Sequence, residues 1–301
     1  MLHINPPLRF STDVDIITIE NRMDIERILD KIISDSEFNR WELDRKRSYN
    51  PGIPKAHYKL SFYSDLENRE REILLDILFE ETLYPNLLSV DLKLPFIKSN
   101  EATIKIAVPS ANGLLGDKLT AFAPRTIGIR LNCKKGRDVV KQIFDIGSLY
   151  SRVTDINEVA HTFNEIAKKE IEYRELAINE IDIAKDVLDT TFFIAKVFRN
   201  IKMDDEYYNP EEIRSALRDF RPFITSKPAY SIESLLLDAS IASYLTAMIA
   251  TRSSEKHRKY NRDRDNLRAY YFIDQEHLFL NRLSRIPNGA LYYLKTAFDL
   301  L

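Results

Sequence analysis

Asp13 and Asp15 stand two apart in the stretch RFSTDVDII, residues 9–17. A strand turns alternate side chains to opposite faces, so both carboxylates point the same way. Val14, Ile16 and Ile17 predict burial of the other side. Two acids side by side on a largely buried strand repel each other and resist desolvation. A divalent cation relieves both penalties, because hard cations take oxygen ligands. An edge strand with a wet face relieves them too, and the stretch by itself leaves the two readings level.

A third acid, Asp76, sits in ILLDILFEE with Leu74 and Leu78 on its own face. A carboxylate among leucines must take up a proton, a cation or a partner. Asp91, in SVDLKLP, competes for the same role, but its more polar neighbours favour a solvated acid. Three acids from two strands form a donor set for one or two Mg²⁺ ions, which polarise a phosphoryl group and activate an attacking oxygen. Lys118, in ANGLLGDKLTAF, lies beside the apolar face of a helix. It either snorkels to solvent or points its ammonium into a cleft. Asp138, Lys141 and Asp145 share a face of the next helix at i, i+3 and i+7. By default Lys141 and Asp145 form a surface pair worth about a few tenths of a kcal/mol.

Other chemistries lack their patterns. His3, His57, His161, His257 and His277 show no HxxxH or HExxH spacing, and there is no GxSxG elbow. The glycines form neither GxGxxG nor GxxxxGK[ST]. Cys133 is the only cysteine, which excludes an internal disulfide and a cysteine zinc cluster and fits a reducing cytoplasm. Lys plus Arg is 44 and Asp plus Glu is 46, a formal charge of −2, so bulk basicity does not drive nucleic-acid binding. Local patches remain. Arg130, Lys134, Lys135 and Arg137 are the better candidates for a phosphate-rich acceptor. The stretch Arg252 to Arg268 holds seven basic residues against three acids, with Tyr260 inside and Tyr270 and Tyr271 just after. A solvated helix face or loop is its plainer reading, an RNA-facing patch the sharper one.

Periodicity supplies the elements that must hold these side chains. Strands are expected over 13–19, 57–63, 73–79, 88–94 and 103–108, with Trp41 to Tyr49 alternating loosely and Glu67 to Glu72 as a charged turn. Amphipathic helices are expected over 23–33, 111–122 and 137–150. Beyond residue 151 the pattern is helical: 155–200 reads as one long helix or two with a bend. Asn209-Pro210-Glu211-Glu212 reads as a helix start, Ser231 as another, and Asp274 as a cap. Pro287-Asn288-Gly289 precedes a final helix over 290–301. A chain of 301 residues suggests two domains. The expected architecture is an α/β (α+β) domain with a mixed sheet over 1–150, followed by an all-α helical bundle over 151–301. The N-terminus lacks the apolar core of a signal peptide. The stretch Leu235 to Ile249, with Asp238, Ser240, Ser243 and Thr246, is expected to be too short and too polar to span a bilayer. It reads as a core helix, so a cytoplasmic protein with no membrane partner is expected.

RFSTDVDI, ILLDILFEE, LLGDKLTAFAP and KQIFDIGSLY, in that order, resemble the successive motifs of the AbiEii-type nucleotidyltransferases. These are the toxin components of bacterial type IV toxin–antitoxin and abortive-infection systems. The resemblance covers roughly residues 5–150, and the helical half is compatible in architecture but offers no matching motif. It implies a DNA polymerase β-like nucleotidyltransferase fold in which Asp13, Asp15 and Asp76 hold Mg²⁺ under the triphosphate of an NTP. Lys118 would contact the triphosphate, and Asp145 would orient Lys118 or the acceptor. Arg9, Ser11, Asp138 and Lys141 would line the nucleotide. An acceptor hydroxyl, on RNA such as tRNA or on a protein, would attack the α-phosphorus with loss of pyrophosphate. Metal and lysine would offset the developing charge. A cognate antitoxin is the implied partner.

The sequence departs from the family at one point. The family carries a glycine-glycine segment before the DxD strand, whereas this sequence has no glycine before Gly52. That departure implies either a segment upstream of Met1 or a copy with impaired triphosphate binding. The alternatives to an enzyme are therefore a catalytically degenerate module that binds nucleotide, RNA or antitoxin, and, more weakly, a helical scaffold.

Overall fold

A parallel strand pair needs a crossover between its members, and the N-terminal stretch supplies a helix and a hairpin for it. The computed structural model describes residues 4, 6–11, 13–48, 52–92, 104–203, 207–225, 229–253, 257–286 and 288–301. The chain divides into two compact units, one of Phe10–Leu83, the other of Met1–Arg9 with Tyr84–Leu301.

In the first unit the elements are β1 (Asp13–Ile17), α1 (Arg22–Asp35), β2 (Phe38–Leu43), α2 (Arg45–Ser48), β3 (Lys55–Ser64) and β4 (Arg69–Leu78). The sheet order is β1-β4-β3-β2. β1 runs parallel to β4 and the other pairs are antiparallel, giving the expected mixed sheet. Asn21 caps α1 by accepting from the Asp24 backbone N–H. The helix lays Ile25, Leu29 and Ile32 over a cluster of Ala56, Tyr58, Leu60, Leu75 and Ile77.

Two expectations change here. The turn closes over residues 65–68 and β4 already begins at Arg69. The backbone ladder continues through the charged residues because their end of the hairpin is exposed and pairs charges across strands, as Arg40 does with Glu70 at 2.9 Å. The apolar residues of β1 are not buried: Val14 is 49 % and Ile16 41 % exposed. β1 is the sheet edge, and the described cluster under α1 takes no residue from it.

The second unit holds a separate two-stranded sheet, β5 (Leu87–Asp91) antiparallel to β6 (Lys105–Pro109). The expected strand residues 93, 94 and 103 lie outside the described residues. Then come α3 (Ala111–Ala121), α4 (Gly136–Tyr150), α5 (Ile156–Tyr173), α6 (Glu180–Phe198), α7 (Pro210–Phe220), α8 (Ile232–Ala250) and α9 (Ala290–Leu300). The stretch 155–200 is two helices. α5 ends at Arg174, and Asn179 with Asp182 forms a capping box that starts α6. Asn209 and Ser231 cap α7 and α8 as expected. Asp274 caps no α-helix; it accepts from the His277 backbone N–H at 3.0 Å, ahead of a 3₁₀ run over Leu278–Arg285.

α8 has 19 residues, long and apolar enough by length and composition to cross a membrane, so the expectation that it is too short fails. It packs against α4, α6 and α9 and is mostly buried. Its hydroxyls close onto carbonyls one turn back, Ser240 on Leu236 and Thr246 on Ala242. Residue 150 falls inside this unit. α3 packs on α5 and α4 on α7 and α8, so helices on both sides of residue 150 share one core. Residues before the first strand join it as well. Arg9 bridges to Ile224, and the Thr225 N–H donates to the Leu8 carbonyl at 2.9 Å.

Candidate functional site

Register brings the strand acids together. Asp15 of β1 is opposite Asp76 of β4, and Asp76 is opposite His57 of β3. Register partners share a face and neighbouring strands lie about 4.8 Å apart. Asp13, two residues before Asp15, is on the same face, turned away from α1. Asp15 is exposed and Asp13 half-buried. The Ser11 hydroxyl donates to the Asp13 carboxylate.

Asp76 has partners that periodicity does not reveal. Its Oδ1 lies 2.7 Å from His57 Nδ1, and its Oδ2 accepts from Arg47 Nη2 at 3.1 Å. The short helix α2 delivers Arg47, whose N–H is held by Asp44 Oδ1 at 3.1 Å. Ser48, at the end of α2, accepts from the His57 N–H at 2.9 Å. The carboxylate among leucines therefore finds a guanidinium and an imidazole. Asp91 ends β5, where its register partner is Lys105, so it belongs to a different sheet from Asp13, Asp15 and Asp76.

The donor chemistry of this face suits a hard divalent cation, with carboxylates on adjacent strands at an open edge. The side chains do not converge into a site as they stand. Among the described residues no group of three or more His, Cys, Asp or Glu is arranged to hold a metal. Asp76 would have to exchange Arg47 or His57 for the ion.

In the second unit Lys118 lies on α3 with its Nζ 3.9 Å from Asp117 Oδ2, which also accepts from the Tyr84 hydroxyl at 3.1 Å. A side chain at Gly116 would meet the Val159 carbonyl at 2.5 Å, so glycine there is what lets α3 lie against α5. The start of α3 is fixed by Ser110 and Asn112, both donating to Glu158. Burial pushes the Glu158 carboxyl up, but hydrogen bonds from Ser110, Asn112 and Asn86 outweigh it and hold it below the usual range.

Asp145 is not a surface partner of Lys141 by default. Arg9 grips it with two 2.7 Å hydrogen bonds, from Nε and a terminal nitrogen, and both side chains are largely buried. Asp138 and Lys141 stand on the half-exposed side of α4. Gly147 leaves the room that the Asp238 carboxyl fills; a Cβ there would come within 2.0 Å of it. The Tyr230 hydroxyl donates to Asp238 at 2.6 Å, yet burial pushes the acid up to about 8.

Of the basic residues 130–137, Lys134 and Arg137 line a cleft of about 620 Å³ with Arg218, but Glu211, Glu212 and Asp219 line it too. Its charge is mixed rather than that of a phosphate cradle. The expected site residues thus divide by unit: Ser11, Asp13, Asp15 and Asp76 in one, Arg9, Lys118, Asp138, Lys141 and Asp145 in the other.

Comparison with curated proteins and with solved structures finds no match. A family model described as nucleotidyl transferase AbiEii toxin, type IV TA system, matches residues 1–218, which takes in every one of these residues, and the chain belongs to that family.

Proposed function

We propose that this protein transfers a nucleotide from an NTP to an acceptor hydroxyl on RNA, as the toxin of a toxin–antitoxin pair with a cognate antitoxin in the cytoplasm. Membership of a nucleotidyltransferase toxin family supports the reaction class. One observation carries the assignment of residues: Asp15 and Asp76 are register neighbours, with Asp13 on the same face. These three would hold Mg²⁺, which when bound supplies Lewis-acid activation of the α-phosphorus and charge neutralisation. Asp76 is oriented by Arg47 and His57. Asp13 and Asp15 stand at an exposed edge where a carboxylate can take the proton of the attacking hydroxyl. Lys118 is assigned to the triphosphate, where an ammonium offsets the charge that builds as pyrophosphate leaves. Arg9 fixes Asp145.

The experiment is labelling of total RNA with each α-labelled NTP in the presence of Mg²⁺. Wild type is expected to label, and Asp13→Ala with Asp15→Ala to fall to background. Labelling that survives the double substitution removes these acids from the mechanism. A second reading, a nucleotide-binding module without turnover, is favoured by the engagement of Asp76 with Arg47 and His57. It predicts NTP binding with no label incorporated.

A further inference from the structure

Residues 257–286, between α8 and α9, are tied to those helices by buried tyrosines. Tyr244 of α8 accepts from the Arg258 N–H at 3.0 Å, and Tyr293 of α9 accepts from the Tyr260 N–H at 3.0 Å. Gly289 has φ +86°, and a side chain there would come within 2.5 Å of the Tyr260 ring. Short 3₁₀ turns over Leu267–Tyr270 and Leu278–Arg285 are the regular structure within this stretch. It frames a cavity of about 560 Å³ walled by Tyr260, Arg262, Arg268, Tyr271, Ser284 and Arg285.

The charge in this cavity is unbalanced. Asp265 is the acid in its wall, and its carboxylate is spent on Arg258 and on the Asn261 N–H. Arg262, Arg268 and Arg285 are exposed and have no carboxylate partner among the described residues. Three guanidiniums around one cavity repel one another unless an anion joins them, and their planar donor forks match phosphate oxygens. Tyr271 is 37 % exposed, and its hydroxyl is 3.0 Å from Ser284 Oγ. An exposed ring beside guanidiniums offers a stacking face for a base.

We propose that this cavity binds a nucleotide, its phosphate on Arg262, Arg268 and Arg285 and its base against Tyr271, and that single-stranded RNA is the source. The choice of RNA rests on the proposed transferase reaction. The binding does not need turnover, so it is measured in the Asp13→Ala, Asp15→Ala protein as well as in wild type. Failure of the site and failure of the transferase reading are then separate results.

The test is fluorescence anisotropy of a short labelled single-stranded RNA over a series of salt concentrations. The Arg262→Ala, Arg268→Ala, Arg285→Ala protein is compared with a charge-matched Lys168→Ala, Lys185→Ala, Lys202→Ala protein. Melting temperatures establish that both variants are folded. The arginine variant is expected to bind about tenfold or more weakly, with a log–log salt slope shallower by up to about two, and the lysine variant to bind nearly as wild type. Tyr271→Ala is expected to weaken binding without changing the slope. Competition by a nucleoside monophosphate, stronger than by inorganic phosphate, supports the nucleotide chemistry and adds a free source. Unchanged RNA affinity in the arginine variant, or equal losses in both triple variants, overturns the proposal.

Discussion

The ionisation of Asp238 is coupled to the fold. Burial lifts its carboxyl from the ordinary 3.8 to about 8, so it is neutral in the folded protein at pH 7. A raised folded-state value means that its contribution is fully present below the unfolded value. The contribution is lost as pH rises through the folded one, at about 1.4 kcal/mol per pH unit in between. Asp238→Asn keeps an acceptor for Tyr230 and removes the titration. Its unfolding free energy, measured by urea at a series of pH values, is expected to be flatter than that of wild type between pH 4 and pH 8. It should exceed wild type at the alkaline end, and parallel curves would contradict the assignment. At this scale the acids were legible and their partners were not. Asp13, Asp15 and Asp76 announce themselves by type and spacing. His57, which bonds Asp76, becomes visible only once β3 and β4 are in register, and Arg47 only once α2 is placed beside them. The same holds for Arg9 and Asp145, 136 residues apart.

Elements are positioned by glycines and caps whose effects separate cleanly. At Gly116 a methyl group would meet the backbone of α5, the Val159 carbonyl at 2.5 Å and the Phe163 nitrogen at 2.9 Å. Backbone cannot give way as a flexible side chain does, so Gly116→Ala is expected to destabilise by about 1–3 kcal/mol and to move α3, with Lys118, away from α5. At Gly52 a Cβ would meet nothing within 4 Å, but the residue sits at φ +87°. Gly52→Ala therefore incurs only the left-handed backbone penalty, about 1 kcal/mol. Urea unfolding of the two variants tests the contrast, and equal losses would contradict it. The helix N-termini were legible because Asn209 with Pro210, and Ser231, carry local signals. The break between α5 and α6 was not, because apolar spacing runs through it. The positive φ of 52° at Glu175 follows the end of α5, and the Asn179–Asp182 capping box, worth about 1 kcal/mol on Asn179→Ala, starts α6. The edge position of β1 was equally hidden, since Val14, Ile16 and Ile17 have the composition of a buried strand.

Each of the two units has its own core. Phe10–Leu83 is built around Leu29, Ala56, Tyr58, Leu60 and Ile77, while α8 and α4 anchor a much larger cluster in the rest of the chain. Buried apolar area is the main favourable term in folding, so the smaller core is expected to open at lower denaturant. It also carries the acid face assigned to Mg²⁺ and NTP. A ligand stabilises the folded state it binds, by about 2.7 kcal/mol at a hundredfold excess over its Kd. Hydrogen exchange read by mass spectrometry at rising urea should therefore find β1, β3 and β4 exchanging before α8. Mg²⁺ with a non-hydrolysable NTP analogue should slow the strands. Asp13→Ala with Asp15→Ala should abolish the slowing. If ligand instead slows no amide in β1 or β4 of the wild type, the acids of this face do not hold the nucleotide's metal, whatever activity the chain displays.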